Sequence, residues 1–522
     1  MSVRGASEVG AGLAAARTAR PLEPGERIHV VGAAGAGASA AALLGRWAGA
    51  EVDGCDPGGP SPYSAALDHE GILVAASHDP AHVRRTPPPT RLAVTKALTA
   101  VDPDHPELVA AREAGIPLEP WQQVVADAAA GRTLIAVAGT HGKSTTAGWL
   151  VHTLVSGGFD PGAFVGALLP EVLTGIGVRA TARRGAGTCF VVEADEYAGN
   201  FDPYHPAITV LTSAEWDHPD VFADRAAVLA AFEAWIRSAG PAAGVVVANV
   251  ADPGVAEIVG RLRGWPGRIV ATAITDPAGS GGATDAGRIA GRFATASGPA
   301  MTLVGRITAE DPDGTTLEVA GLGLGGPASM TTIRLPTAGR HNAANALGVA
   351  GAAAAAGLPA AAIVSGLASF GGVGRRLERK GEARGVVVYD DYGHHPTAIR
   401  ATLAAVRQRE PGRRLWAVYE PLTYHRTAAL LDAFAEALAQ ADAVAIADIW
   451  AGRDPDTSIA SAAGLAAAVA KLAPSIPCAA PGSVEATAAW LADEARPGDA
   501  VLVMGGGRSY RIGELLLERL EA

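Results

Sequence analysis

Short apolar runs alternate with helix-compatible stretches along most of this chain, and each run ends in glycines or a polar cluster. Residues 27–31 and 51–55 predict strands; the first runs into Gly32-Ala33-Ala34-Gly35-Ala36-Gly37-Ala38-Ser39 and a small-residue helix over 40–47. Residues 134–138 predict a buried strand, which breaks at Gly139-Thr140-His141-Gly142 before a helix over 147–155. Further strands are expected over 188–192, 207–212, 386–389, 415–419, 443–449 and 500–504. Helices are expected after Asn345 to about 356 and over 397–407, where Pro396 is well placed to start the second. The repeated strand–loop–helix unit predicts an α/β fold.

The chain has 522 residues, which suggests about three domains. A loose tail is expected over 1–25, which is rich in Ala, Gly and Arg and contains Pro21 and Pro24. The domains then fall at 26–130, 131–373 and 374–522, and residues 274–298, dense in Gly, Ala, Asp and Ser, read as a surface excursion. Abundant alanine weakens helical periodicity, because alanine is tolerated on either face.

Composition narrows the partners. The net charge of −11 argues against nucleic acid and anionic membranes, while leaving room for a small anionic substrate held by a few local cations. The three cysteines, Cys55, Cys189 and Cys478, are far apart and show no disulfide or zinc spacing, which fits a reducing interior. No leader pattern opens the sequence and no apolar run approaches ~18 residues, so a cytoplasmic protein is expected, a monomer or homodimer.

Candidate chemistry gathers at the strand ends. Strand, glycine turn, Lys143-Ser144-Thr145-Thr146 and helix make a phosphate cradle, in which unpaired backbone N–H groups attract anionic oxygens. Lys143 can reach outer phosphates and the Ser144 hydroxyl can hold Mg²⁺. The match is to a tightened form of the usual loop, and the plain alternative is a turn that merely joins strand to helix. Glu193, at the end of the 188–192 strand, is a candidate Mg²⁺ ligand, against the alternative of a solvated acidic loop. His218 follows another strand end, where an imidazole is as readily structural as functional. Asn342 and Asn345 are three apart and share a helical face, so their amides could meet a purine edge or simply cap the helix. Asp56 closes the second strand, where a doubly wound domain contacts a ribose or uridine; the small residues before it could equally serve helix–strand packing.

Together these motifs resemble the Mur ligase family, the ATP-dependent amino-acid ligases that build the peptidoglycan peptide. The resemblance runs from about residue 26 to the end and is carried by Gly139 to Thr146, Glu193-Ala194-Asp195-Glu196, Asp217-His218, Gly339 to Leu347 and Arg375-Arg376, in that order. It implies three α/β domains: a Rossmann-like UDP-sugar domain, a P-loop ATPase domain and a C-terminal Rossmann-like domain. It implies ATP and Mg²⁺, with Gly139, Thr140, His141, Gly142, Lys143, Ser144 and Thr145 on the phosphates, Ser144 and Glu193 on one Mg²⁺ and His218 on a second. His341, Asn342, Asn345 and Asp391 match nucleotide-contacting positions, and Arg376 matches a phosphate-facing arginine of a moving domain. Tyr392, His394, His395 and Arg426 match the amino-acid side; Gly35, Gly37, Ser39, Asp56 and His78 match the UDP-sugar side.

Within the family, Gly32 to Ser39, Asp391 to Pro396 and Tyr424 to Thr427 most resemble the members that join L-alanine to UDP-N-acetylmuramate through an acyl phosphate. Three departures keep alternatives open. Leu422-Thr423 stands where His-Arg is usual, Thr95-Lys96 stands where Ser-Ser is usual, and Glu193 to Tyr197 with Trp216 to Phe222 partly resembles the member that recycles a murein tripeptide. A nucleotide-binding regulator without catalysis is the remaining reading; the retained Lys143, Glu193 and His218 argue against it.

Overall fold

The computed structural model describes residues 4–239, 244–275, 288–289, 291–323, 330–452, 454 and 456–522. Three sheets follow one another along the chain. The first contains β1 (Arg27–Val31), β2 (Glu51–Cys55), β3 (Val74–Ala75), β4 (Arg91–Val94) and β5 (Leu118–Pro120), all parallel in the order β3-β2-β1-β4-β5. That order turns back at β1, and the glycine loop leaves β1 at this reversal, where doubly wound sheets open a ligand crevice. The helix Ala36–Trp47 needs its small residues. A Cβ on Gly37 would lie 2.2 Å from the Trp121 indole, and Ala40, Ala41 and Ala42 are fully buried beneath the sheet.

The N-terminal residues are not the loose tail expected. Ala6–Val9 forms a helical turn with Val9 fully buried, and Arg17 binds Asp127 at 2.7 Å and Glu119 at 2.8 Å. Asp127 is also paired with the buried Arg91 at 2.7 Å, so the arm closes a charge network that the first domain would otherwise leave incomplete. Polar arms of this kind carry little local signal, because their partners lie a hundred residues away.

The second sheet has ten strands: β6 (Thr133–Ala138), β7 (Gly162–Leu169), β8 (Ala180–Arg183), β9 (Cys189–Ala194), β10 (Ile208–Leu211), β11 (Val245–Asn249), β12 (Arg268–Thr275), β13 (Met301–Asp311), β14 (Gly314–Ala320) and β15 (Met330–Leu335). The order is β15-β14-β13-β12-β11-β10-β6-β9-β7-β8, parallel from β13 to β7 and antiparallel at both edges. Helices Lys143–Ser156 and Arg340–Ala355 cover one face with Trp149, Leu150, Leu347 and Val349. Ten of the sixteen residues of the second helix are Ala or Gly, because it lies tight on the sheet; a Cβ on Gly351 would meet Val247 Cγ1 at 2.6 Å. Most of the excursion expected over 274–298 lies outside the described residues.

The third sheet joins β16 (Glu378–Ala383), β17 (Val386–Asp391), β18 (Arg414–Glu420), β19 (Ala443–Ala447), β20 (Cys478–Gly482) and β21 (Asp499–Gly505) in the order β16-β17-β21-β18-β19-β20. Only β16 runs antiparallel. The register sets Asp391 beside Met504 and Glu420 beside Gly505, so polar strand ends gather along one edge. No helix among the described residues is long and apolar enough to cross a membrane.

Candidate active site

One cavity of about 530 Å³ takes its walls from all three parts of the chain. Its floor is the turn between β6 and the helix Lys143–Ser156. Gly139 (φ 132°) and Gly142 (φ 78°) hold backbone conformations that side chains resist. A Cβ would also strike Thr212 Oγ1 at 2.3 Å in the first case and Asn345 Oδ1 at 2.7 Å in the second. Thr140 N donates to Ser213 O at 3.1 Å and His141 N to Ser213 Oγ at 2.8 Å, which pins the turn to the end of β10.

Lys143 Nζ donates to Gly139 O at 2.7 Å and Glu196 Oε2 at 3.0 Å, with Asp195 Oδ1 at 3.7 Å. Against the cost of burial, the carboxylates of Glu196, Asp195 and Glu193 hold the ammonium above its usual range. Burial in turn pushes the Glu196 carboxyl up to about 7 despite Lys143. Ser144 Oγ donates to Glu193 Oε1 at 3.0 Å, and Glu193 Oε2 accepts from Gly166 N at 2.6 Å. Ser144 and Glu193 are thus two adjacent oxygen donors, which is what Mg²⁺ selects. Asp195, Glu196 and His218 form a second group, with donor atoms within 4.8 Å of one another. His218 takes a left-handed backbone (φ 55°), which turns its ring toward that group, and its Nε2 lies 3.9 Å from Glu196 Oε1.

The third sheet closes the cavity from the opposite side. Arg375 (φ 58°) and Leu377 (φ 51°) are left-handed residues in the strap that enters β16. The buried Arg375 anchors the strap on Asp390 at 3.2 Å, Gly505 O at 2.9 Å and Ser509 Oγ at 2.8 Å. Arg376 then reaches across to donate to Ser144 Oγ at 2.7 Å, its guanidinium lying 4.7 Å from the Tyr392 ring centroid. Asp391 accepts from Leu377 N at 2.8 Å and Gly393 N at 2.7 Å, and burial raises its pKa. Arg426 is 1% exposed; its Nε donates to Asp217 Oδ1 at 2.7 Å while Nη1 has no hydrogen-bond partner. Burial and the Arg426 charge keep His394 well below the usual imidazole range, and burial lowers His395 to about 4 and His341 to about 4. All three imidazoles are therefore neutral at pH 7.

The cavity brings together Gly37, Thr140, His141, Gly142, Lys143, Ser144, Thr145, Glu193, His218, His341, Asn345, Arg376, Asp391, Tyr392, His394, His395 and Arg426. Asn342 faces an adjoining space of about 240 Å³, shared with Thr145, His341 and Asp391. Asn342 and Asn345 do share a face, with Asn345 Nδ2 donating to Asn342 Oδ1 at 3.3 Å.

Ser39 is fully buried, and its hydroxyl donates to Ala36 O at 3.0 Å and lies 3.1 Å from Thr181 Oγ1. Gly35, Asp56 and His78 lie outside this cavity. Asp56 instead accepts from Ala34 N at 3.0 Å and Gly58 N at 2.9 Å, shaping the glycine loop. Sequence reasoning missed Asp217 as the partner of Arg426, Glu215 as the partner of His141 at 2.9 Å, and Trp121 as a wall. Asp217 and Glu215 stand beside His218, and their pairing could not be read without the fold.

A phosphate loop, oxygen donors for a cation and an arginine from a separate sheet define a nucleotide-dependent enzyme assembled from three α/β parts. The chain belongs to the Mur ligase family, whose members are ATP-dependent ligases: the family's catalytic, middle and glutamate ligase domain models match residues 27–133, 137–353 and 375–507. It is 36% identical over 522 residues to the UDP-N-acetylmuramate–L-alanine ligase of Frankia casuarinae, covering 95% of this chain and 98% of that one. It is 37% identical over 511 residues to the ligase of that name in Mycolicibacterium vanbaalenii, covering 97% and 98%. Among solved structures it resembles the UDP-N-acetylmuramate–alanine ligase of Thermotoga maritima (TM-score 0.73, 22% identity, 94% of this chain and 98% of that one). It also resembles a murein peptide ligase of Psychrobacter arcticus (TM-score 0.69, 24% identity, 95% and 99%). These two likenesses establish the fold.

Proposed function

We propose that this ATP-dependent ligase joins L-alanine to UDP-N-acetylmuramate, giving ADP, phosphate and UDP-N-acetylmuramoyl-L-alanine. The observation that carries the reading is the shared cavity, in which Lys143, Ser144 and Glu193 of the central part face Arg376, His394 and Arg426 of the last part. The names of the relatives support the choice of substrates.

The sugar carboxylate attacks the γ-phosphorus of ATP and ADP leaves, which forms an acyl phosphate. The alanine amine attacks the acyl carbon, the tetrahedral adduct expels phosphate, and an amide remains. Lys143 and Arg376 are placed to neutralise the oxygens of the transferring phosphoryl group. Ser144 with Glu193, and His218 with Glu196, supply donor sets that fit Mg²⁺, which would stabilise charge on phosphate oxygens. The unpartnered Arg426 Nη1 suits the carboxylate of the incoming amino acid. Neutral His394 and His395 add no positive charge beside the amine that must lose its proton. His341, Asn342 and Asp391 around the smaller space suit an adenine and ribose. Enclosure between parts keeps water from the acyl phosphate.

Leu422, where a histidine is usual, lies on the cavity wall beside Arg426 and makes it more apolar. That substitution is the specific reason to test the murein tripeptide as a second acceptor. Phosphate release should be followed with ATP, UDP-N-acetylmuramate and, in parallel, L-alanine, glycine and L-serine, and with the tripeptide. Release fastest with L-alanine is expected; a strong preference for the tripeptide reverses the reading.

A further inference from the structure

We infer that the first domain holds a zinc-class metal ion on His29, Cys55, His82 and Glu107, a group on one side of its sheet that takes no part in the shared cavity. The four residues come from β1, the end of β2, the helix Ala81–Arg84 and the helix Pro106–Glu113. One donor atom of each lies within 4.8 Å of the other three. His29, Cys55 and Glu107 are at most 1% exposed. Cys55 Sγ lies 3.1 Å from Glu107 Oε2, His82 Nδ1 lies 2.5 Å from Oε1, and His29 Nε2 lies 3.8 Å from Oε1.

Hydrogen bonding alone leaves this group unresolved. Glu107 Oε1 already accepts from Asp79 N at 3.0 Å and from His82. Its other oxygen takes the Cys55 thiol, whose sulfur also lies 3.1 Å from His78 Nδ1. His29 Nε2, buried and pointing into the group, has no hydrogen-bond partner. The opposite nitrogen explains why it waits there. Asp53 cannot donate as a carboxylate, so at 2.9 Å His29 Nδ1–H donates to it, and in the neutral ring the lone pair lies on Nε2. A carboxylate behind an imidazole is the arrangement that orients a metal-bound histidine.

The donor set has the matching chemistry. Thiolate and imidazole favour zinc or cobalt over magnesium. Four ligands of this kind complete a closed tetrahedral site. A divalent ion would also offset the thiolate and carboxylate charges in a place water hardly reaches. Uptake releases the Cys55 thiol proton and makes the S–metal bond; His82 shifts its remaining proton to Nε2 and presents Nδ1. The ion would tie two strands to two helices.

The test uses the full chain, purified without a polyhistidine tag and stripped with a chelator. Titration with Co²⁺ should saturate near one equivalent of thiolate-bound cobalt, with a cysteinate-to-cobalt charge-transfer band and tetrahedral d–d bands that Zn²⁺ erases and Mg²⁺ does not. Among the described residues the other metal-capable groups contain no cysteine, so this band separates them from the site proposed. Asp53→Asn should weaken Zn²⁺ binding about 10–100-fold, and Cys55→Ser should remove the charge-transfer band. Cobalt bound without that band, or a band that survives Cys55→Ser, would overturn the assignment, as would a wild-type chain that takes up neither metal.

Discussion

Lys143 is held by Glu196 and the Gly139 carbonyl, groups that keep its ammonium at the mouth of the glycine turn. Removing it should cost chemistry and spare the fold. We expect Lys143→Ala to lower kcat for phosphate release by at least about 10²-fold, with its melting temperature little changed; turnover at the wild-type rate would take the loop out of the mechanism. Gly142 offers a contrast, because its left-handed backbone and the nearby Asn345 both oppose a Cβ. Gly142→Ala should lose roughly 1–2 kcal/mol for the backbone alone, read by denaturant unfolding, and should weaken ATP binding as well. These two residues were legible because their pattern is local. Ser39 was not, because only the packed structure turns its hydroxyl toward Thr181.

The helix Pro396–Arg409 begins at His395, whose Nδ1 accepts from Thr397 N at 3.3 Å. An accepting nitrogen must be unprotonated, which agrees with the lowering of His395 to about 4 by burial. The sign follows. The unfolded chain takes up a proton near pH 6.5 and the folded chain only near 4, so this histidine's contribution to stability is whole above pH 6.5 and declines as pH falls toward 4. At pH 5.5 the loss should be on the order of 1 kcal/mol relative to pH 7.5. Denaturant unfolding of the wild type and of His395→Asn, a residue that caps well without titrating, should show the gap between them shifting by that amount; a constant gap would refute the account. The helix Arg340–Ala355 teaches the opposite lesson about elements. Its alanines gave no usable periodicity, and its close seat on β11 appears only in three dimensions, so Gly351→Val should cost about 1–3 kcal/mol through overpacking.

At the scale of the whole molecule, Arg376 to Ser144 at 2.7 Å and Arg426 to Asp217 at 2.7 Å join the central and last parts across the cavity, and Arg179 to Glu378 at 3.0 Å joins them outside it. The first links the segment after the glycine turn to the strap that enters the last sheet. Arg376→Ala should therefore reduce kcat by about 10²–10³-fold while ATP binding, measured by calorimetry, changes far less. The left-handed Arg375 and Leu377 frame this arginine in a short strap, the kind of segment that absorbs rotation between domains.

The strands were readable from the chain because parallel strands buried on both faces appear as unbroken apolar runs, and glycine loops mark where they stop. Thus β6, β17, β18 and β21 exceed the apolar run by only a residue or two at an end. The phosphate loop was readable for the same local reason. Tertiary structure alone decided which distant groups meet: Arg17 with Asp127, Arg426 with Asp217, and the histidines of the first domain with Cys55 and Glu107. Charge pairing and metal-capable grouping depend on register and crossover between elements, and no short window of sequence contains those relations.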